Sequence, residues 1–318
     1  MSSIPSELLS EIPPSLHSLV ENLWQDWCQS CQSKNLDATH NSGLKLPLAM
    51  LGRTWACSDF VARNCIHYPD IFYKLQAQGF ASSRSADDYK AMISLLVADA
   101  GGEVPAKDPW TDEQIMSALR VLRQQEMLRI AWRDLNRLAD VETVLHELSD
   151  LAEAVVAVIL PFLERQHAET YGMPLDGNGE KQSLLVFAMG KMGGRELNFS
   201  SDIDLIFAFA EDGETSGRRR TSHYEFYLAV IRRLLKLLND VTADGFVYRV
   251  DTRLRPFGES GPLAMSFNGL EQYYQLQGRD WERYAMIKAK LIAGRESDRR
   301  YLQSILTPFV FRRYLISA

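Results

Sequence analysis

The sequence predicts an α+β protein in which a helical N-terminal region precedes a mixed sheet with flanking helices, and three observations carry that expectation. Up to about residue 170, apolar residues recur at spacings of three and four, as one face of a helix requires. From residue 183, short continuous apolar runs replace that pattern. Between the two, Tyr171-Gly172-Met173-Pro174-Leu175-Asp176-Gly177-Asn178-Gly179-Glu180-Lys181 concentrates turn residues and marks a boundary. The expected division is therefore a helical domain over 1–172, a strand-bearing domain over 183–294, and the start of a further helical region over 295–318 that stops without a closing element, as a truncated piece would.

The elements follow in order. Asp87-Asp88 opens a helix through Met92, Leu95, Leu96 and Val97, and Gly101-Gly102 is the expected stop because glycine tolerates a left-handed backbone. Thr111 reads as an N-cap with Asp112 and Glu113 in the first turn, followed by a stripe of Ile115, Leu119, Leu122 and Met127. Asp140 caps the next helix, whose apolar face runs Val144, Leu148, Leu151, Val155, Ile159. Leu184-Leu185-Val186-Phe187-Ala188-Met189 is a continuous apolar run of buried-strand type, and Asp202 to Phe209 is a second strand. Tyr224 to Leu238 has helical spacing through Phe226, Val230, Leu234 and Leu237, after the cationic loop Arg218-Arg219-Arg220. Phe246 to Arg255 is expected as a third strand, and Gly278 to Ile292 as a helix.

Composition narrows the function classes. Of 318 residues, 46% are apolar, enough for at least one sizeable core. With 35 basic and 41 acidic residues the formal charge is -6, which offers no overall attraction to a phosphate backbone, so nucleic acid is not the expected partner. No apolar stretch approaches the roughly 20 residues of a membrane span, and the N-terminus lacks a signal-peptide pattern, so a cytoplasmic location away from membranes is expected. Four cysteines make no disulfide framework. Cys28 and Cys31 have metal-like spacing, but Cys57 and Cys65 are too far apart to supply a second ligand pair, so structural thiols are the expectation.

The chemistry concentrates between Gly190 and Arg255. Alternate residues of a strand face the same way, so Asp202 and Asp204 emerge together while Ile203, Leu205 and Phe207 emerge on the other side. Two such carboxylates repel unless a cation lies between them, and hard oxygen ligands suit Mg2+. A solvated strand end accounts for many Asp-x-Asp pairs taken alone. The third strand adds to the motif by aligning Val247, Arg249, Asp251, Arg253 and Arg255 on one face. Asp251 could join a second metal ion, with Arg253 and Arg255 as planar forks for phosphoryl oxygens; the competing reading is a lattice of surface ion pairs. Gly190-Lys191 is not a P-loop, because Met192 stands where Ser or Thr would bind the metal. Gly193 and Gly194 are instead expected to let backbone donors approach a phosphate, with Ser200 and Ser201 adding donors beside the carboxylates.

The run Gly190 to Phe207, together with Gly245 to Leu263 and Gln277-Gly278-Arg279-Asp280-Trp281-Glu282-Arg283-Tyr284-Ala285, resembles the bacterial glutamine synthetase adenylyltransferase family. That resemblance implies a nucleotidyltransferase-type, polymerase-beta-like sheet. Members carry two related units in one chain, which attach AMP to a tyrosine of glutamine synthetase or remove it. Arg255-Pro256-Phe257-Gly258-Glu259-Ser260-Gly261 is more similar to the copy that removes AMP, while a second Asp-x-Asp unit is absent from this sequence.

The resemblance implies phosphorolysis: orthophosphate attacks adenylyl-tyrosine, releasing ADP. It makes Asp202, Asp204 and Asp251 the metal-binding and catalytic residues, with two Mg2+ ions, and Gly190, Lys191, Gly193, Gly194, Ser200, Ser201, Arg253 and Arg255 the phosphate and nucleotide contacts. The implied partners are glutamine synthetase, orthophosphate, ADP or ATP, and a PII signalling protein. ATP-dependent adenylylation, or an idle fragment that binds glutamine synthetase or PII, are the alternatives.

Overall fold

A computed structural model describes residues 4–41, 44–45, 47–80, 82–99 and 111–311. The expected glycine stop at Gly101-Gly102 and the terminal Arg312 to Ala318 lie outside the described residues. In chain order the helices are α1 (Ser6–Leu9), α2 (His17–Ser33), α3 (Leu48–Cys57), α4 (Asp59–His67), α5 (Pro69–Gln78), α6 (Ala86–Asp99), α7 (Asp112–Leu135), α8 (Val141–Tyr171), α9 (Gly190–Gly193), α10 (His223–Asn239), α11 (Phe267–Leu276), α12 (Asp280–Ile287) and α13 (Glu296–Val310). The strands are β1 (His40–Asn41), β2 (Leu44–Lys45), β3 (Leu185–Ala188), β4 (Ile203–Phe209), β5 (Val250–Asp251), β6 (Ala264–Ser266) and β7 (Lys290–Ala293).

The chain divides into two compact units, Met1–Ser83 with Val121–Glu147, and Arg84–Arg120 with Leu148–Ala318. The boundary is thus drawn through α7 and α8 rather than after Gly172. The reason is that α8 from Leu148 onward bonds to the sheet unit: Leu184 donates its amide to Glu164 at 2.7 Å, and Leu197 donates to Ser149 Oγ at 3.1 Å.

In the first unit an aromatic cluster fills the core. Trp27 meets Trp55 and Phe72 at ring distances of 5.9 and 5.7 Å, and Phe80 stacks on Trp132 at 4.8 Å. Such large rings bury much apolar area with little rotamer entropy to lose. Ser58 caps α4 by accepting from the Val61 amide. Arg129 bridges Glu126 and Glu147 in the interior at 2.8 Å each. Cys31 and Cys65 are buried thiols whose pKa values burial pushes up to about 12, so both stay protonated packing groups.

The second unit is a sheet between helices. Its strand order is β5-β4-β3-β7, with β6 also paired to β4. β3 is antiparallel to β4 and β7, while β4 is parallel to β5 and β6, so the sheet is mixed. On one face Leu185, Phe187, Ile206 and Ala208 pack against Phe267, Leu270, Leu302, Leu306 and Phe309. On the other, Phe209 meets Tyr227 of α10 at 5.4 Å. Coverage on both faces explains why these strands read as continuous apolar runs. Phe226, Val230, Leu234 and Leu237 are all buried, as the helical spacing predicts, and Ser222 caps α10 through Glu225. Asp140 and Thr111 are also caps, accepting from Thr143 and Gln114.

Two sequence expectations are corrected. The strand over Phe246 to Arg255 shrinks to Val250–Asp251. Val247 and Tyr248 both donate to the Leu238 carbonyl at 3.0 Å, which ties the segment to the end of α10 instead of extending it along β4. The helix over Gly278 to Ile292 stops at Ile287, and Lys290–Ala293 becomes a strand on β3. An unpaired β3 edge would leave its backbone groups unsatisfied, and Leu291 and Ile292 supply strand-forming side chains for it. Within 295–318, α13 does not begin a separate region, since it contributes Leu302, Leu306 and Phe309 to the sheet core.

Glu164 supplies a stability prediction. Its carboxyl is buried, and desolvation raises its pKa to about 7 from an ordinary 4.5 despite the Leu184 amide. The native state therefore keeps a proton that the unfolded chain loses over that range, so stability falls as pH rises from 4.5 to about 7, by about 3 kcal/mol at most. Glu164→Gln keeps an acceptor for Leu184 and is expected to remove this decline, making the variant the more stable protein above about pH 7 but not near about pH 4. Urea unfolding across that range checks it.

Candidate active site

The backbone brings two of the three acidic residues side by side before any side chain is considered. β4 and β5 run parallel with Asp204 opposite Asp251, and neighbouring strands lie roughly 5 Å apart with register partners on the same face. β3 ends at Ala188, where the Met189 amide donates to the Asp204 carbonyl at 2.9 Å. The chain then turns at Gly190 with φ +55°, in the region that favours glycine. A Cβ there would lie 2.9 Å from Asp204 Oδ2, so the absent side chain is what lets the carboxylate sit against the turn.

The three carboxylates differ in their surroundings. Asp202 precedes β4, is exposed, and pairs with Arg249 Nε at 2.5 Å, while Arg249 Nη2 donates to the Ser200 carbonyl at 2.9 Å. Asp251 is held by Arg253 through the Arg253 amide at 2.8 Å and Nε at 2.7 Å, and these bonds lower its pKa. Asp204 has no ion pair among the described residues. Burial first, then the charges of Asp251 and Asp202, raise its pKa, and Arg253 opposes them. Among the described residues no three His, Cys, Asp or Glu side chains are drawn closely enough together to hold a metal ion as they stand. The expected convergence of the carboxylates is thus only partial, because like charges repel and guanidiniums have taken the outer two.

The glycine turn serves the fold more than the sequence predicts. Gly193 and Gly194, expected as phosphate donors, give their amides to the Met189 and Gly190 carbonyls at 3.1 Å each. A Cβ on Gly193 would lie 2.0 Å from the Lys288 carbonyl oxygen and 2.4 Å from that of Ala188, so its glycine is required by packing. Arg255 is also committed. Buried beneath the loop after β5, it donates to the carbonyls of Thr252, Glu259 and Gly261 and to the Thr252 hydroxyl. Lys191 is exposed, with its Nζ 3.5 Å from Ser201 Oγ, and Ser201 itself donates to Asn198 Oδ1. Lys191, Ser201 and Arg253 thus keep polar groups at the surface of the site.

Several positioning residues have no signal in the sequence. Asn239, at the end of α10, accepts from the Val250 amide at 2.7 Å and so sets the strand that presents Asp251. Arg120 Nε donates to the Gly245 carbonyl at 2.6 Å and braces the turn before that segment. Asp150 on α8 receives Arg195 Nη2 on both carboxylate oxygens at 2.9 and 2.8 Å, which anchors the strained Arg195 backbone at φ +58°. Glu196 and Lys288 pair at 2.6 Å beside the glycine turn. Helical periodicity marks such positions only as polar.

A mixed sheet that presents one carboxylate pair at the start of a strand, a third on its parallel neighbour and a glycine turn beside them defines a nucleotidyltransferase-type domain. The model of the glutamate-ammonia ligase adenylyltransferase family matches residues 48–303, and the chain belongs to that family. It is 42% identical over 99% of its length to the bifunctional glutamine synthetase adenylyltransferase/adenylyl-removing enzyme of Thioalkalivibrio sulfidiphilus. It is likewise 42% identical over 96% of its length to the enzymes of the same name from Shewanella loihica and from Nitrosococcus oceani. The chain spans 31%, 30% and 31% of those three relatives. No helix among the described residues is long and apolar enough to cross a membrane.

Two outcomes follow for the metal-free protein. Ionised Asp204 is held against burial and two like charges, so Asp204→Asn is expected to raise the thermal midpoint at neutral pH by a few degrees, read by calorimetry. Gly190→Ala forces a Cβ against Asp204 at a positive φ and is expected to lower the midpoint, at a cost of about 1 kcal/mol or more.

Proposed function

We propose that this chain removes AMP from the adenylylated tyrosine of glutamine synthetase by Mg2+-dependent phosphorolysis, releasing ADP, as one activity in the control of nitrogen assimilation. The observation that carries the reading is Asp204, half-buried, in register with Asp251 and with no ion pair among the described residues. Its relatives are named for both adenylyl transfer and adenylyl removal. Removal is favoured by the Arg255 to Gly261 segment, whose sequence resembles the removing copy and whose loop Arg255 braces.

The donor set fits the metal. Asp202, Asp204 and Asp251 offer hard oxygens, and the unbalanced charge on Asp204 is the feature that a divalent cation relieves. These three residues would hold Mg2+, as two ions, which when bound supply charge neutralisation at the phosphoryl group.

The remaining work falls to the chain. One oxygen of orthophosphate forms a bond to the α-phosphorus while the bond from phosphorus to the tyrosyl oxygen breaks, so the AMP moiety leaves as ADP. The phenolate then takes a proton from water. With a reference pKa of about 10 it is a far better leaving group than an alkoxide, and no strong general acid is needed. Arg253, 69% exposed, and Lys191 at the rim are the cations that orient phosphoryl oxygens, with Ser201 beside them. Ser200 contributes its carbonyl to Arg249.

Incubation with adenylylated glutamine synthetase, Mg2+ and orthophosphate is expected to release ADP in proportion to phosphate. Asp204→Asn should lower that rate at least about a hundredfold. AMP release without phosphate would overturn phosphorolysis, and ATP-dependent labelling of unmodified glutamine synthetase would reverse the direction.

A further inference from the structure

We propose that Arg249 and Arg253 are place-holding counter-ions: they hold Asp202 and Asp251 in the metal-free site and compete with the divalent cation for those carboxylates. The proposal rests on the metal-binding part of the function proposed above.

Arg249 and Arg253 are paired with the outer carboxylates at 2.5 Å each, and Asp204 between them is left to its neighbours' repulsion. Arg253 is pulled by Asp251, by Glu259 and by Asp204 together, so it lies in the field that the carboxylates share. Among the described residues it is also the cation whose charge opposes the burial and repulsion acting on Asp204. A guanidinium in that field lowers the repulsion without removing it.

Neither pair is strong enough to be permanent. The side chains of Arg249 and Arg253 are 59% and 69% exposed, and ion pairs in that setting are weakened by solvent screening and by the entropy of holding two long side chains in place. A divalent cation with three carboxylate neighbours gains more than either arginine loses. Arg249 also has places to go. Its Nη2 keeps the Ser200 carbonyl at 2.9 Å, and its guanidinium lies 5.8 Å from the Phe246 ring centre, so it is held when Asp202 turns to a metal. Among the described residues the Arg253 guanidinium hydrogen-bonds only to Asp251, and once released it faces the surface where phosphoryl oxygens bind. Metal entry therefore frees a planar cation for substrate, which orders the two events.

Mn2+ binding to the whole chain, followed by electron paramagnetic resonance of the free ion, tests this without turnover. Arg249→Gln and Arg253→Gln are each expected to tighten Mn2+ binding about three- to tenfold, a direction that loss of structure would not produce. Asp202→Asn should abolish the gain from Arg249→Gln while leaving that from Arg253→Gln, which separates a paired contact from the general field. Equal or weaker binding in folded Arg249→Gln and Arg253→Gln, checked by circular dichroism, would overturn the proposal. Absence of Mn2+ binding by the wild-type chain would instead overturn the metal-dependent function, so the two failures are distinct.

Discussion

The parallel register that sets Asp204 opposite Asp251 is the constraint around which the second unit is organised. Two carboxylates on neighbouring strands destabilise a sheet unless something offsets their repulsion. Here the offset comes from Arg253 on Asp251 and Arg249 on Asp202, while Gly190, lacking a side chain, leaves room for the Asp204 carboxylate. A fold optimised for stability would place an apolar or hydroxyl side chain at one of these positions. Three acids beside a buried strand end are a feature that stability alone does not favour, and charge kept at a cost in stability is common at functional sites.

The scaffold holds that arrangement from several directions. β4 is covered on both faces, so its first residues cannot shift without moving Ile206, Ala208 and the helices packed on them. Asn239 meets the Val250 backbone, and Asp150 and Ser149 hold the chain between the glycine turn and Asp202. Gly193 lies so close to the Lys288 carbonyl that the turn and the start of β7 are placed together. The acids are thus presented by rigid elements, with exposed cations around them. That division leaves the exposed arginine side chains freer to move than the strands that carry Asp204 and Asp251.

Much of the plan was legible from local pattern. The apolar run at Leu184 to Met189, the strand from Asp202, the spacing of α10 and the caps at Thr111 and Asp140 all depend on neighbours within a turn or a strand, and each is found where the pattern places it. The true extents of the third strand and of the helix after Gly278 were not legible. Alternation from Phe246 to Arg255 looked continuous, but a carbonyl at the end of α10 captured its first half. Lys290 to Ala293 became a strand because β3 had an edge to fill, a demand from residues a hundred positions earlier in the chain.

The same distinction applies to the site. Sequence alone determined that acids at 202 and 204 share a strand start behind a glycine turn and that a third acid with arginines follows, because residue type and alternation are properties of a short segment. Only the tertiary structure decided the partners. It gave Arg249 to Asp202 across 47 positions, turned Arg255 inward to brace a loop, used the Gly193 and Gly194 amides within their own turn, and left Asp204 with no ion pair among the described residues. Coulomb attraction and hydrogen bonding act over a few ångströms in space, and chain order does not reveal which groups come that close.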